Sequence, residues 1–206
     1  MRDVEQPVSA ARVRLNDATR ALMEMVVDAD AVADDDLAAT AAAIEAATTT
    51  LRNAAAAEPE ARGLSRRTFP EYLARNRLIG VAHPMSPAAS WDFTDGVLQV
   101  WVTFGDAYEG PQGFVHGGVV ALAFDELLAL AGALGGEGGV TGTLKVRYRK
   151  PTPLHEELRM TGWIEHRQGR RLRARGTIHA ADALTAEAEG LFIAAEPHRR
   201  RASSGD

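Results

Sequence analysis

Two features of the sequence combine residue types that can do chemistry: a glycine-rich segment at residues 110–118, and an acidic residue, Asp125, inside an apolar run. Glycines just before a helix let the backbone approach a ligand closely and adopt positive φ. The first N–H groups of a helix are unpaired and lie at the positive end of its dipole. Such a site can hold a carbonyl oxygen as it becomes an oxyanion. Taken alone, the segment also fits a tight turn into a packed helix.

Asp125 lies in the middle of residues 115–134, which predict a helix that is apolar nearly all round and ends at a glycine pair. An acidic residue in such a helix is unfavourable unless it is paired or functional. Glu126 points about 100° away around the helix. On this pattern either carboxylate can be the reactive one, or both can be solvated.

The spacing between the glycines and the carboxylate predicts a site shared between subunits. The seven residues from Gly118 to Asp125 span about 10 Å along a helix axis. One reacting carbon cannot lie beside both in a single chain. If both act in one reaction, the second comes from another subunit, so we expect at least a homodimer.

The surrounding pattern predicts an antiparallel sheet that covers this helix. Alternating apolar and polar side chains, typical of strands, occur at residues 96–104, 140–148, 157–166, 171–180 and 184–194. Short connections between the last four predict an antiparallel meander. Residues 69–79 predict a short amphipathic helix, and residues 80–90, with two prolines, predict a loop. A helix that is apolar on every face needs such a cover, so the predicted class is α+β with one central helix.

The first sixty residues differ from the rest, because they are rich in Ala and acidic residues and contain no aromatic residue before Phe69. Two segments with helical periodicity predict a helical hairpin, the second beginning at the acidic residues 34–36. Leu37, Ile44 and Leu51 repeat every seven residues and form a narrow apolar stripe. We interpret this region as a structural extension that packs on its own domain or on a partner subunit; a dedicated partner-binding arm is the alternative. Residues 59–67 predict a linker.

Composition excludes several classes of function. The net charge of −5 and the pI near 5.7 give no reason to expect nucleic-acid binding, which needs a basic face. The absence of cysteine excludes disulfides and a thiol nucleophile. The histidines show no metal-ligand spacing, and there is no serine elbow or phosphate-binding loop. With no signal peptide and no apolar run long enough to cross a bilayer, we expect a cytoplasmic protein without membrane insertion.

The glycine-rich segment carries a resemblance to a known family. Residues 113–118, Gly-Phe-Val-His-Gly-Gly, followed by an acidic residue nine positions after the His, resemble the hotdog-fold thioesterases of the PaaI and THEM4-like group. Residues 144–154 are similar to the strand and turn that follow the helix in that group, and residues 83–87 to the segment ahead of its first strand. The resemblance covers about residues 75–195 and is poor at naming the substrate.

The resemblance implies roles for five residues. Asp125 holds the position of the family's carboxylate, which acts as general base on water or as nucleophile on the thioester. The backbone N–H of Gly117 polarises the thioester carbonyl, and His116 fixes the loop near the thioester. Thr141 or Thr143 falls where members place a hydroxyl that orients the attacking water.

One position departs from the family pattern. Many members carry Asn or Gln seven residues before the glycine, as a second carbonyl donor, and here that position is Gly110. Either Gln112 substitutes for it, or the backbone N–H acts alone at a lower rate. Arg147 and Arg149 are candidates for contact with the phosphates of coenzyme A, although an ordinary solvated strand face is the simpler interpretation. The full set of expected substrate-binding residues is Gly110, Gln112, Gly113, Phe114, Gly118, Arg147 and Arg149.

The resemblance therefore implies a hotdog fold, an antiparallel sheet wrapped around one long central helix, with an N-terminal helical extension. We divide the chain into an extension and linker at residues 1–64, a hotdog domain at 65–196 and a disordered tail at 197–206. The implied activity is hydrolysis of an acyl-CoA to free acid and CoA by a homodimer or homotetramer. Coenzyme A enters only as part of the substrate, and no metal or redox cofactor is implied. The alternatives are a non-catalytic acyl-CoA binding or sensing protein and a hydratase or dehydratase on the same fold.

Overall fold

The computed structural model describes residues 8–57, 68–87 and 89–194, in which a six-stranded antiparallel sheet curls around one helix. The helices are α1 (Ala10–Val27), α2 (Asp34–Ala57), α3 (Phe69–Ala74) and α4 (Gly117–Leu134). The strands are β1 (Ala89–Thr94), β2 (Val97–Val102), β3 (Gly139–Tyr148), β4 (Leu158–Gln168), β5 (Arg171–Ala180) and β6 (Ala183–Ala194). This is the expected α+β hotdog fold with an N-terminal helical extension.

The central helix α4 supplies the middle of the core. Nine of its residues are buried, and seven of these are apolar members of the core that the sheet covers. The sheet approaches α4 closely because β4 carries Gly162, where an added Cβ would lie 2.8 Å from the side chain of Leu127. Within the described residues, α4 is the one helix whose length and composition would allow it to cross a membrane. Here half of it is covered by protein, as in the core helix of a globular domain.

The strand order, β1-β2-β4-β5-β6-β3, corrects the predicted meander. Strands β4, β5 and β6 follow one another as expected, but β3 pairs with β6 and not with β4. The physical reason is the crossover through α4, which carries the chain across the sheet face and delivers β3 to its far edge. The edge position of β3 brings it alongside α4.

Strand β1 was not predicted: residues 80–90 were assigned to a loop, and residues 91–95 were assigned to no element. Its signal lies in the turn that follows it. Asp95 and Gly96 have φ values of 52° and 80°, and they connect the paired residues Thr94 and Val97. An Asp-Gly pair with two positive φ angles is the usual two-residue hairpin turn, so this dipeptide could have indicated the strand before it.

The segment after residue 68 forms a shorter helix than expected. Helix α3 ends at Ala74, where the amphipathic pattern predicted continuation to residue 79. The Asn76 side chain ends the helix by accepting hydrogen bonds from the N–H groups of Leu78 and Ile79, at 2.8 and 3.0 Å. Local side-chain acceptors of this kind compete with helical hydrogen bonding.

The N-terminal helices lie where the periodicity predicted them, and α2 starts at Asp34 with three acidic residues in its first turn. They do not pack as a tight hairpin, because no residue of α2 is buried. Helix α1 instead contacts the hotdog domain. The predicted linker at residues 59–67 and the predicted tail at 197–206 lie outside the described residues, and so do parts of the segments on either side of the predicted boundary at residue 64.

Candidate functional site

The N-terminus of α4 presents one unpaired backbone donor. His116 is the N-cap, and its Nδ1 accepts a hydrogen bond from the N–H of Gly118 at 3.0 Å. Because Nδ1 is an acceptor, the proton of the neutral ring lies on Nε2. Among the described residues no acceptor is found for the N–H of Gly117, which is half-exposed. Within the described part of the chain, Gly117 and not Gly118 is thus left with an unpaired backbone donor, at the positive end of the helix dipole.

The loop ahead of α4 is a tight, internally bonded turn. The N–H of Gly110 donates to the carbonyl of Phe114, and the N–H of Gly113 donates to the Glu109 carboxylate, at 2.9 and 2.7 Å. Gly113 has a φ of 80°, which favours glycine. The carbonyl of Gly113 accepts from the N–H of Leu154, so the loop is tied to the segment that follows β3. Phe114 is partly exposed beside it.

The structure explains the glycine at position 110. A Cβ added there would lie 2.6 Å from the Cα of His116, so the backbone leaves no room for an amide side chain. Gln112 is exposed in the turn, and no hydrogen bond within the described part of the chain holds its side chain. The packing of the loop against His116 therefore explains why position 110 lacks the amide side chain that many members of the similar family carry.

Asp125 is contacted by a hydroxyl from the edge strand. Thr141 Oγ1 donates to Asp125 Oδ1 at 2.7 Å, and Asp125 is half-exposed. Thr143, the other candidate, lies on the opposite face of the sheet. A register shift in β3 pairs Thr141 with the buried Phe192 and Thr143 with Leu191. Such a bulge adds one residue to a strand and reverses the alternation of side chains, so two threonines two positions apart face opposite ways.

Tyr148 is a functional candidate that the sequence interpretation did not include. Its hydroxyl donates to the carbonyl of Gly117 at 2.7 Å, from the end of β3. Leu144 and Val146, on the same face of β3, pack against the core. The alternation had placed all three on one face, and a hydroxyl-bearing ring on the face toward the helix was the available signal. Strand β3 therefore contacts both ends of the candidate site.

Glu126 is bound by a buried network. Its carboxylate accepts hydrogen bonds from Asn76 at 2.6 Å and from Arg77 at 2.9 Å, and the residue is buried. This network joins the turn after α3 to α4. The pKa of Tyr72, on α3, is raised by burial first and then by the negative charges of Glu126 and Asp125. Packing thus distinguishes the two neighbouring carboxylates. Glu126 holds the turn after α3 against α4, and Asp125 is the carboxylate that faces solvent.

The two arginines expected at the coenzyme A phosphates do not lie beside Asp125 within the single chain. Arg147 faces away from α4, because its neighbours Leu144 and Val146 face the core. It lines a shallow depression of about 240 Å³ on the outer face of the sheet. Arg149 forms an ion pair with Glu187.

Helix α1 contacts the segment between β2 and α4, which leads into the glycine-rich loop. The carboxylate of Glu24 accepts the N–H of Ala107 at 3.0 Å. The next residue, Tyr108, donates its hydroxyl to the carbonyl of Met85 and accepts the N–H of His116 at its own carbonyl, both at 2.9 Å. Burial, and then the charge of Glu24, raise the pKa of Tyr108 to about 12. The extension is thus connected to the N-cap of α4.

A metal site is not evident: within residues 8–57, 68–87 and 89–194, no three His, Cys, Asp or Glu side chains lie close enough together to hold an ion. The chemistry available at this site is a carboxylate oriented by a hydroxyl, and a backbone N–H at a helix start.

Comparisons with known proteins bear on the fold and on the family that the chain resembles. Residues 112–187 match the family model described as Thioesterase superfamily. The chain is 32% identical over 93 residues to acyl-coenzyme A thioesterase THEM4 of Mus musculus, covering 44% of this chain and 40% of that protein. It is 31% identical over 91 residues to acyl-coenzyme A thioesterase THEM5 of Homo sapiens, covering 43% and 37%. The chain therefore spans about two fifths of the length of these curated relatives.

A crystal structure of a thioesterase superfamily protein superposes with a TM-score of 0.72 at 29% identity, over 92% of this chain and 93% of that chain. This superposition extends well beyond the segment that matches the family model. The family match across the glycine-rich loop, α4 and most of the sheet, together with this superposition, shows that this chain has the hotdog fold and is similar in sequence to the thioesterase superfamily.

Proposed function

We propose that this protein hydrolyses an acyl-CoA thioester to the free acid and coenzyme A. The observation that carries the proposal is the pairing of Asp125 with Thr141, at one end of the same strand whose other end contacts Gly117. The curated relatives, named acyl-coenzyme A thioesterases, support the substrate class.

In the proposed mechanism Asp125 takes a proton from water as the water oxygen attacks the thioester carbon. Thr141 occupies one carboxylate oxygen and leaves the other to hold the water. The N–H of Gly117 stabilises the negative charge that develops on the carbonyl oxygen. Collapse of the tetrahedral intermediate expels the thiolate of coenzyme A, which then takes up a proton. Direct attack by Asp125, through an acyl-carboxylate anhydride that water then hydrolyses, is the second route open to the same residues.

The site requires two copies of the chain. Asp125 follows Gly117 by eight residues, which is about 12 Å along α4. The edge of β3 that faces away from β6 is unpaired in the described chain, and Val140 on this strand is 70% exposed. An exposed strand of ten residues is a template for pairing with another chain.

Self-pairing of β3 would complete the site. An antiparallel pair of β3 strands that places Thr141 opposite the partner's Tyr148 brings Asp125 beside the partner's Gly117. The two-fold relation then generates two identical sites per dimer. We therefore propose a homodimer as the smallest active unit, with a tetramer as a further possibility on the same dimer.

The direct test is thiol release from a panel of acyl-CoA substrates by the wild-type chain and Asp125→Asn. Asn has nearly the same size and keeps an oxygen that accepts from Thr141, so folding and acyl-CoA binding should persist. The rate should fall by at least about a hundredfold, the lower end expected when a general base is lost. Most of the activity remaining in a folded Asp125→Asn would show that another group is the base.

Mixed dimers test the shared site. A chain with Asp125→Asn and a chain with Gly117→Pro are each inactive, but a dimer of one of each has one site with both groups intact. Random mixing should restore about one quarter of the wild-type activity, since half the dimers are mixed and each has one good site. Two inactive chains that stay inactive when mixed, although exchange is demonstrated, would place the whole site in one subunit.

Gly110 favours a second candidate function, a protein that binds acyl-CoA without hydrolysing it. The crowding of position 110 by His116 removes the amide donor that many members carry. Tight binding of acyl-CoA by the wild-type chain without release of thiol from any substrate would establish this alternative.

A further inference from the structure

Helix α2 is an ordered helix that contributes nothing to the core of its own chain. All but one of its 24 residues are exposed, and none is buried. Its three large apolar side chains are Leu37, Ile44 and Leu51, which are 41%, 39% and 53% exposed. Most helical stability in proteins comes from packing of an apolar face, and within the described residues this face has no cover.

The shape of the exposed stripe suits another helix. Seven residues fall about 20° short of two full turns, so the three side chains form a nearly straight line along the helix. Ala41 and Thr48 complete the line between them. Small residues beside the large ones allow two helix axes to approach to about 8 Å, the close end of the normal range.

The charged residues of α2 favour a second copy of α2, in the antiparallel orientation, as the helix that covers the stripe. Asp34, Asp35 and Asp36 lie in the first turn, and Arg52, near the other end, is the basic residue of α2. In an antiparallel pair centred on Ile44, Leu37 faces the partner's Leu51. Asp34 and Arg52 both lie about 80° from Ile44 around the helix, on the same side, and Asp34 is then only about 3 Å along the axis from the partner's Arg52. A parallel pair would instead place Asp34 and Arg52 each beside its own copy. Glu45, the remaining charged residue of α2, lies near its own copy in either orientation and does not distinguish them.

We propose that α2 is a homotypic docking helix, which pairs antiparallel with α2 of a second copy about a two-fold axis at Ile44. The interface is self-complementary, as a two-fold contact requires. It is separate from the β3 edge and does not depend on the thioesterase activity. The exposed apolar stripe, the central position of Ile44 and the opposite charges at the two ends carry this assignment.

Introduced cysteines test the pairing directly, because the chain contains no cysteine of its own. A disulfide requires Cα atoms about 4.4–6.8 Å apart, which only residues at the two-fold axis satisfy with their own copies. The full-length Ile44→Cys protein should form a covalent dimer under mild oxidation, whereas Leu37→Cys alone should not. The double variant Leu37→Cys, Leu51→Cys should cross-link again. Ala46→Cys, on the opposite face of α2, is the matched control and should stay monomeric on a denaturing gel.

Charge reversal tests the register. Asp34→Arg or Arg52→Asp should lower the cross-linking yield of Ile44→Cys by up to about 25-fold, because the two-fold dimer contains two such exposed ion pairs and each contributes up to about fivefold. Combining the two reversals should restore it. Asp35→Arg, which changes the same charge in the same turn but faces away from the stripe, should have no effect.

Three results would overturn the proposal. Equal cross-linking of Ile44→Cys and Ala46→Cys would indicate random collision. Self-cross-linking of Leu37→Cys and Leu51→Cys as efficiently as Ile44→Cys would indicate a parallel pair. No cross-link from any stripe position, with the helical circular dichroism unchanged, would mean that another segment or another protein covers α2.

Discussion

Replacement of Gly117 by proline would remove the proposed oxyanion donor with little disturbance of the fold. Gly117 is the first residue of α4, where proline is well tolerated because its missing N–H has no helical partner. Proline also requires an extended residue before it, and His116 already has φ −57° and ψ 133°. A Cβ at position 117 would lie 3.5 Å from the Tyr148 hydroxyl, which is ordinary contact.

The expected fall in kcat follows from the loss of one N–H donor to the oxyanion. Removal of one oxyanion donor lowers kcat by about 10²–10³, or about 3–4 kcal/mol of transition-state stabilisation. Gly117→Ala is the matched control, because it adds the same Cβ and keeps the N–H. Its rate should stay within about threefold of wild type, as expected for a surface substitution of about 0.5 kcal/mol.

The assay is thiol release at varied substrate concentration, with thermal unfolding measured on the same samples. The loss in Gly117→Pro should appear in kcat, with KM little changed, because the N–H acts on the transition state. A folded Gly117→Pro that keeps most of its activity would refute the donor role. An equal loss in Gly117→Ala would show that the Cβ, and not the missing N–H, is responsible.

Three further predictions concern stability. Glu126→Gln should lower the free energy of unfolding by about 1–3 kcal/mol in a urea titration, because the charged hydrogen bond to Arg77 is lost. The folded variant should keep its rate of thiol release. Loss of rate without loss of stability would make Glu126 the reactive carboxylate. The pKa of Tyr108, raised to about 12, favours the neutral form of its side chain. The resulting contribution to stability is therefore complete below about pH 10 and is lost between about pH 10 and 12. Tyr108→Phe should flatten this alkaline decline in melting temperature, and an unchanged dependence of the melting temperature on pH would contradict the assignment. Deletion of residues 1–60 should leave the hotdog domain folded by circular dichroism, although less stable because Glu24 no longer holds Ala107; a chain that cannot fold would make the extension part of the core.

Much of the candidate site could be predicted because its signals are local. The glycine-rich loop, the helix start at residues 116–118 and the acidic residue within the apolar helix lie in one short stretch of sequence. Helix periodicity and the properties of helix ends depend on neighbours along the chain, so these assignments needed no tertiary contacts. The strand patterns after α4 were predictable for the same reason.

Other choices required contacts between distant segments. Nothing adjacent to Glu126 in the sequence reveals that Asn76 and Arg77 bind it, so the two neighbouring carboxylates looked alike. The separation of Thr141 from Thr143 depends on a bulge that exists only where β3 pairs with β6. Crowding at Gly110 arises because the loop folds back on His116.

The sequence by itself determined the fold class, the central helix and the residues at its start, because side-chain periodicity and glycine conformation act over a few residues. The tertiary structure decided the strand order, the carboxylate that remains open to solvent, the threonine that contacts it and the place of Tyr148 over Gly117. These depend on which surfaces pack together across long separations in the chain. Such packing is set by the fit of the whole core, which no short segment encodes.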